Sequence, residues 1–112
     1  MKWKVVFFTD KNGSKPVYEW ILSLEEKTKT VVLRNLDLLE QLGTGIREPY
    51  VKHLEEKLYE VRAKDHKGIY RIIYFAHTGK RFVLLHGFVK KTQKTPRKEI
   101  DIAKQRMKEM IK

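Results

Sequence analysis

The chain has no cysteine among its 112 residues. Disulfide staples and thiolate metal sites are therefore excluded. The fold must rest on its own apolar core, and a chain of this length can bury one such core as a single domain spanning residues 1–112. Four histidines (His53, His66, His77 and His86) show no H-x-x-x-H or comparable spacing, so no metal site is expected from them. No segment approaches the ~20 consecutive apolar residues of a membrane span. The apolar run inside MKWKVVFFTD is too short for the core of a signal peptide. A cytoplasmic protein with no membrane association is expected. Internal repeats, low-complexity tracts and linkers are also missing.

Charge is abundant and unevenly placed. Charged residues make up 35% of the chain and hydrophobic ones 41%, with 11% aromatic, a profile of a folded globule and not of a disordered segment. The net charge is +11. Residues 1–57 carry ten Lys and Arg against nine Asp and Glu, whereas residues 58–112 carry fifteen against five. Nearly the whole excess lies in the second half, which points to a polyanionic partner.

The pattern of apolar residues predicts an α+β domain in the order β-α-α-β-β-β-α, with a twisted, mostly antiparallel sheet. Residues 3–9 read as a strand, and Asp10-Lys11-Asn12-Gly13 as a turn. Ser14 is a candidate helix cap ahead of Pro16. Val17, Trp20, Ile21 and Leu24 form one helical stripe, and Val32, Leu36 and Leu39 another, ended by Gly43 and Gly45. The two helices are expected to form a hairpin on one face of the sheet. Segments 58–64, 69–75 and 81–89 read as a three-strand meander. Thr95-Pro96 starts a final helix whose inner stripe is Ile100, Ala103, Met107 and Met110.

A four-residue turn at 65–68 pairs residue 62 with 71 and residue 60 with 73. Alternation then puts Tyr59, Val61, Ala63, Tyr70, Ile72 and Tyr74 on a core face. The other face carries Glu60, Arg62, Lys64 and Arg71. Cross-strand like charges are destabilising by roughly 0.2–1 kcal/mol, so Arg62 opposite Arg71 calls for compensation, either from Glu60 or from a phosphate bound between them. The alternative is an exposed sheet face that simply carries long cations. The segment after the last strand places Lys90, Lys91 and Lys94 around Thr92 and Gln93, a phosphate-binding loop or a solubilising one. His86 is either a half-buried histidine bonded to backbone or a proton-transfer group near the cations.

LYEVR at 58–62, YRIIYF at 70–75 and LLHGFVKKTQKTP at 84–96 together resemble the RelE/HigB-like toxins, and more narrowly the phage-derived HigB-like branch. The similarity covers nearly the whole chain. It implies the toxin of a type II toxin–antitoxin pair, an endoribonuclease that cuts mRNA on the ribosome without a metal or other cofactor. It also implies a cognate antitoxin with a helix-turn-helix domain, and operator DNA reached only through the toxin–antitoxin complex. Carried over by motif, Arg71 matches the arginine at the scissile phosphate, Arg62 the arginine of the preceding strand, and Lys91 (or Lys90) the basic position after the final strand. Lys64, Lys90, Thr92 and Lys94 are expected to contact RNA. The RelE branch places a tyrosine in or near its last helix, but here no tyrosine follows Tyr74. His86, a lysine, or ribosomal RNA is left to move the proton.

Metal-free RNA cleavage uses the neighbouring 2′-hydroxyl as nucleophile, so the protein must supply alignment, charge neutralisation and proton transfer. Guanidinium forks suit the second task, and a lysine crowded by arginines suits the third. This reading needs both guanidinium groups on one side of the sheet and neither locked in the core by a carboxylate. Two rivals are a non-catalytic nucleic-acid-binding module and a phage-associated interaction protein whose basic half docks an acidic subunit.

Overall fold

A computed structural model describes residues 2–90 and 94–111. Strand β1 (Lys4–Phe7) is followed by helices α1 (Pro16–Leu22) and α2 (Glu26–Leu42) and a single 3-10 turn at Gly43–Gly45. Strands β2 (Val51–Glu55), β3 (Leu58–Asp65), β4 (Gly68–His77) and β5 (Arg81–Lys90) then lead to helix α3 (Arg97–Met110). The five strands form one open sheet in the order β1-β5-β4-β3-β2. Among the described residues only the β1–β5 pairing is parallel. The expected α+β architecture is present, with one strand more than the sequence pattern revealed.

That strand is β2. Val51-Lys52-His53-Leu54-Glu55 has weak alternation, and a bulge between His53 and Glu55 breaks its register with β3, so a period of two is not visible in the sequence. The expected β3–β4 register holds, with Arg62 opposite Arg71 and Glu60 opposite Ile73. Asp65 fixes the turn by accepting the backbone N–H groups of Lys67 (2.8 Å) and Gly68 (3.2 Å) on one oxygen. Its other oxygen accepts the buried Thr28 hydroxyl at 2.6 Å, which pins α2 to this turn.

Both N-terminal helices lie on one face of the sheet. Val17, Ile21, Val32, Leu36 and Leu39 pack there with Val61, Ala63, Tyr70, Ile72 and Tyr74. Gly87 is required by this packing, because a Cβ there would stand 2.4 Å from the Trp20 ring. Gly43 ends α2 at a φ of +58°, a backbone region that favours glycine.

The opposite face is not an exposed sheet face. Helix α3 covers it, and Ile100, Ala103 and Met107 form a second core with Phe8, Leu58, Ile73, Phe75, Val83 and Leu85. A β4–β5 register shift makes this possible: Tyr74 faces Leu84 and Ile73 faces His86, which leaves Leu85 as an extra residue. The shift turns Leu85 and His86 together toward α3. The cap expectations also need correction. Neither Ser14 nor Thr95 caps a helix; the caps are Lys15 and Pro96, without side-chain hydrogen bonds. Among the described residues no helix is long and apolar enough to cross a membrane.

Candidate functional site

Where β3, β4 and the end of β5 meet the approach to α3, the sheet buries four polar side chains. Glu60 is 0%, Arg71 3% and Lys90 4% exposed, and Thr95 is also buried. A buried carboxylate is costly unless fully paired, and Glu60 is paired on every side. One oxygen accepts the Thr95 hydroxyl at 2.8 Å, and the other accepts Arg71 Nη1. Arg62 Nε stands 3.5 Å from that second oxygen. Lys90 Nζ donates to Thr95 Oγ1 at 3.3 Å. The Arg62 guanidinium also reaches Glu48, an exposed carboxylate, at 3.9 Å.

Three cations, Arg62, Arg71 and Lys90, thus surround one buried carboxylate. The Nε atoms of Arg62 and Arg71 are buried with no hydrogen-bond acceptor among the described residues. Burial foremost pushes the Lys90 amine down to about 8, with the charges of Arg71, Arg62 and Lys52 adding to the fall and Glu60 opposing it. An amine near 8 exchanges a proton readily close to neutrality. The cluster is rich in positive charge and donors and short of acceptors, a composition that suits an anion.

Arg62 and Arg71 project from the same face of the sheet, as the sequence suggested. Arg71, however, is locked in the core by the Glu60 carboxylate. That breaks the second condition of the two-arginine reading: the guanidinium groups do not converge on one phosphodiester, and a ligand meets the half-buried Arg62 first. Lys64 is exposed at the end of β3, on the same side. Lys94 is exposed just before α3. Lys91 and Thr92 lie outside the described residues. His86 belongs to a different constellation: its Nε2 is 2.7 Å from Glu99 Oε1, and Arg106 Nη1 lies 3.3 Å from its Nδ1. Arg106 donates to Nδ1, so Nε2 carries the proton toward Glu99. Burial is the main force lowering the His86 pKa, and the Glu99 carboxylate pulls the other way. Its polar contacts fasten β5 to α3 instead of joining the arginine cluster.

Sequence reasoning singled out the arginines but missed Thr95 as a partner of Glu60. The Thr-Pro pair looked like a helix cap, and no local signal marks a bond across 35 residues. Lys52 was missed with its strand; it lies opposite Glu60 across β2–β3. Among the described residues no three His, Asp or Glu side chains gather so as to hold a metal ion.

The fold and site define a small α+β protein in which a five-stranded sheet carries a basic cluster beside the approach to its C-terminal helix. Residues 19–108 match the family of phage-derived Gp49-like proteins. The chain belongs to that family, which is associated with toxin–antitoxin toxins of the RelE/HigB type. No curated protein matches the sequence.

Proposed function

We propose that this chain is the toxin of a type II toxin–antitoxin pair and that it acts as a ribosome-dependent endoribonuclease on mRNA. The observation that carries the reading is the excess of positive charge around Glu60 in a member of a toxin-associated family. Arg62 takes the scissile phosphate, and the cations behind it neutralise the charge gained by the phosphorane. Arg71 acts from behind Arg62 through Glu60 and does not touch the phosphate in this arrangement. The 2′-oxygen forms the new bond to phosphorus as it loses its proton, and the 5′-oxygen leaves and takes a proton from water, giving a 2′,3′-cyclic phosphate and a 5′-hydroxyl. Lys90 is as buried as Arg71 and bonded to Thr95, so with its lowered pKa it accepts the 2′-hydroxyl proton through one bridging water and not by direct contact. Lys64, Lys91, Thr92 and Lys94 then serve the RNA backbone, and a helix-turn-helix antitoxin covers or blocks the basic surface.

The test is induced expression followed by primer-extension mapping of transcripts. The reading requires growth arrest with discrete cuts inside translated frames, lost in Arg62→Ala. Growth without arrest, or arrest with intact transcripts, overturns it.

The burial of Arg71 under Glu60 favours a second reading, a basic module that binds RNA without cutting it. That module loses affinity gradually and additively as single cations are removed, with a steep salt dependence. The nuclease instead loses activity sharply at one residue while affinity changes little.

A further inference from the structure

Helices α1 and α2 leave part of their own sheet face uncovered, beyond the glycine turn that ends α2. A trough of about 640 Å³ lies there, within the range of small-ligand sites. Its floor is Tyr59, Tyr74 and Phe82, contributed by the adjacent strands β3, β4 and β5, and its rim carries Arg47, Lys52 and His53. We infer that this trough is a nucleobase subsite, which takes one unstacked base of single-stranded RNA with the flanking phosphate against Arg47 and Lys52. The inference deepens the RNA reading and rests on it for the identity of the strand.

The rings form a continuous series. His53 lies 4.7 Å from Tyr59, and Tyr59 lies 6.0 Å from Tyr74 with planes 27° apart. Tyr74 meets Phe82 edge-on at 5.2 Å. Tyr59 is 38% exposed at the open end of this series. Tyr74 and Phe82 are buried, and Phe82 is stacked on Trp3 at 4.3 Å, so they back the site while Tyr59, with His53 beside it, is the ring open to a ligand. An exposed aromatic ring on a sheet is a recurrent stacking partner for an unpaired base, because every base has a π-face. Burial raises the Tyr74 pKa, so its hydroxyl remains a neutral donor and adds no negative charge against a phosphate.

The rim selects for anions. Its one carboxylate, Glu48, is turned to Arg62 at 3.9 Å, and Lys52 faces Glu60 across the β2–β3 pair. These two residues link the trough to the arginine cluster around the edge strand β2. A strand whose scissile phosphate rests at Arg62 can therefore send a neighbouring base over this edge onto Tyr59. An apolar peptide side chain would use the same floor, but only a chain with regular negative charge also satisfies the rim.

The experiment is an NMR titration of the full chain with an uncleavable 2′-O-methyl tetranucleotide, and separately with an acidic peptide. Expected are shifts at His53 and Tyr59 on adding the oligonucleotide, binding roughly tenfold or more weaker in Tyr59→Ala, and recovery in Tyr59→Trp. His53→Ala, at an exposed position, gives a smaller loss in a variant whose folding is not in question. Oligonucleotide shifts confined to the surroundings of Arg62, or peptide binding in the trough with the oligonucleotide excluded, overturn the inference. Shifts in the trough from a chain that neither arrests growth nor cuts RNA leave the subsite standing and remove only the nuclease reading.

Discussion

Thr95 donates its hydroxyl to Glu60 at 2.8 Å across 35 residues of chain, and this bond anchors the approach to α3 on strand β3. The same carboxylate holds Arg71, so the basic cluster and the docking of the helix share one buried group. In Glu60→Gln the amide keeps the shape but leaves the Arg71 cation without its counter-charge. Removing one partner of a buried ion pair costs about 3–5 kcal/mol. Chemical denaturation of Glu60→Gln should show a loss of that order, and Thr95→Val about 1–3 kcal/mol. A loss below about 1 kcal/mol in Glu60→Gln would mean that water reaches the pair and that the cluster is open.

The same relationship changes what Arg71→Ala can report. The substitution leaves the buried Glu60 carboxylate with the Thr95 hydroxyl and only the longer Arg62 contact, so loss of toxicity should come with a fall in stability of up to about 3–5 kcal/mol. Arg62 separates the two effects, since its pairs are a long contact to Glu60 and an exposed one to Glu48. Arg62→Ala should cut the cleavage rate about 10²–10³-fold while its denaturation midpoint stays within about 1 kcal/mol of the parent. Quantitative primer extension beside a urea melt on the same preparations decides the matter.

Much of this architecture was legible because local chemistry and global fold agree. The 65–68 turn, with Asp at its head and Gly at its end, set the register that pairs Arg62 with Arg71, and alternation then sorted the core face correctly. What could not be read was which helix covers which face. The stripe Ile100, Ala103, Met107 showed that α3 is amphipathic, but nothing local says that it packs on the face of Ile73, Phe75 and Leu85. The bulge at Leu85 is equally silent in sequence, although it decides that His86 meets Glu99. Strand β2 escaped notice because Lys52 and His53 are consecutive exposed residues on an edge strand, where alternation carries little burial.

His86 gives the fold a pH dependence that can be isolated. Its pKa is lowered in the folded chain, so the folded state prefers the neutral ring and the unfolded chain takes up the proton first. Stability from this group is complete above about pH 6.5, the ordinary histidine value, and falls as the solution is acidified below it. Melting temperatures across that range should drop more in the parent than in His86→Gln, whose amide donates to Glu99 without titrating. Parallel curves would show that His86 does not contribute.

Gly87 tests the packing of α1 independently of any charge. A Cβ at this position meets Trp20 ring atoms at 2.4 and 2.7 Å, and neither the ring nor the strand can yield freely. Overpacking of this kind costs about 1–3 kcal/mol. Gly87→Ala should therefore be destabilised by that amount in urea denaturation, with Trp20 fluorescence altered in the native state. An unchanged midpoint would place Trp20 away from β5.

The Lys90 amine supplies the kinetic test of the proposed chemistry. If it accepts the 2′-hydroxyl proton, only its neutral form is active, and its pKa is pushed down to about 8. In a reconstituted ribosome assay, kcat/KM should rise about tenfold per pH unit below 8 and level off above it. Lys90→Gln should lose both the inflection and most of the rate. Lys90→Arg keeps a cation near the site but cannot shed its proton, so it should be as slow as the glutamine variant. A Lys90→Arg protein with parental activity would assign this position to charge alone and send the search for the base to residues 91–94.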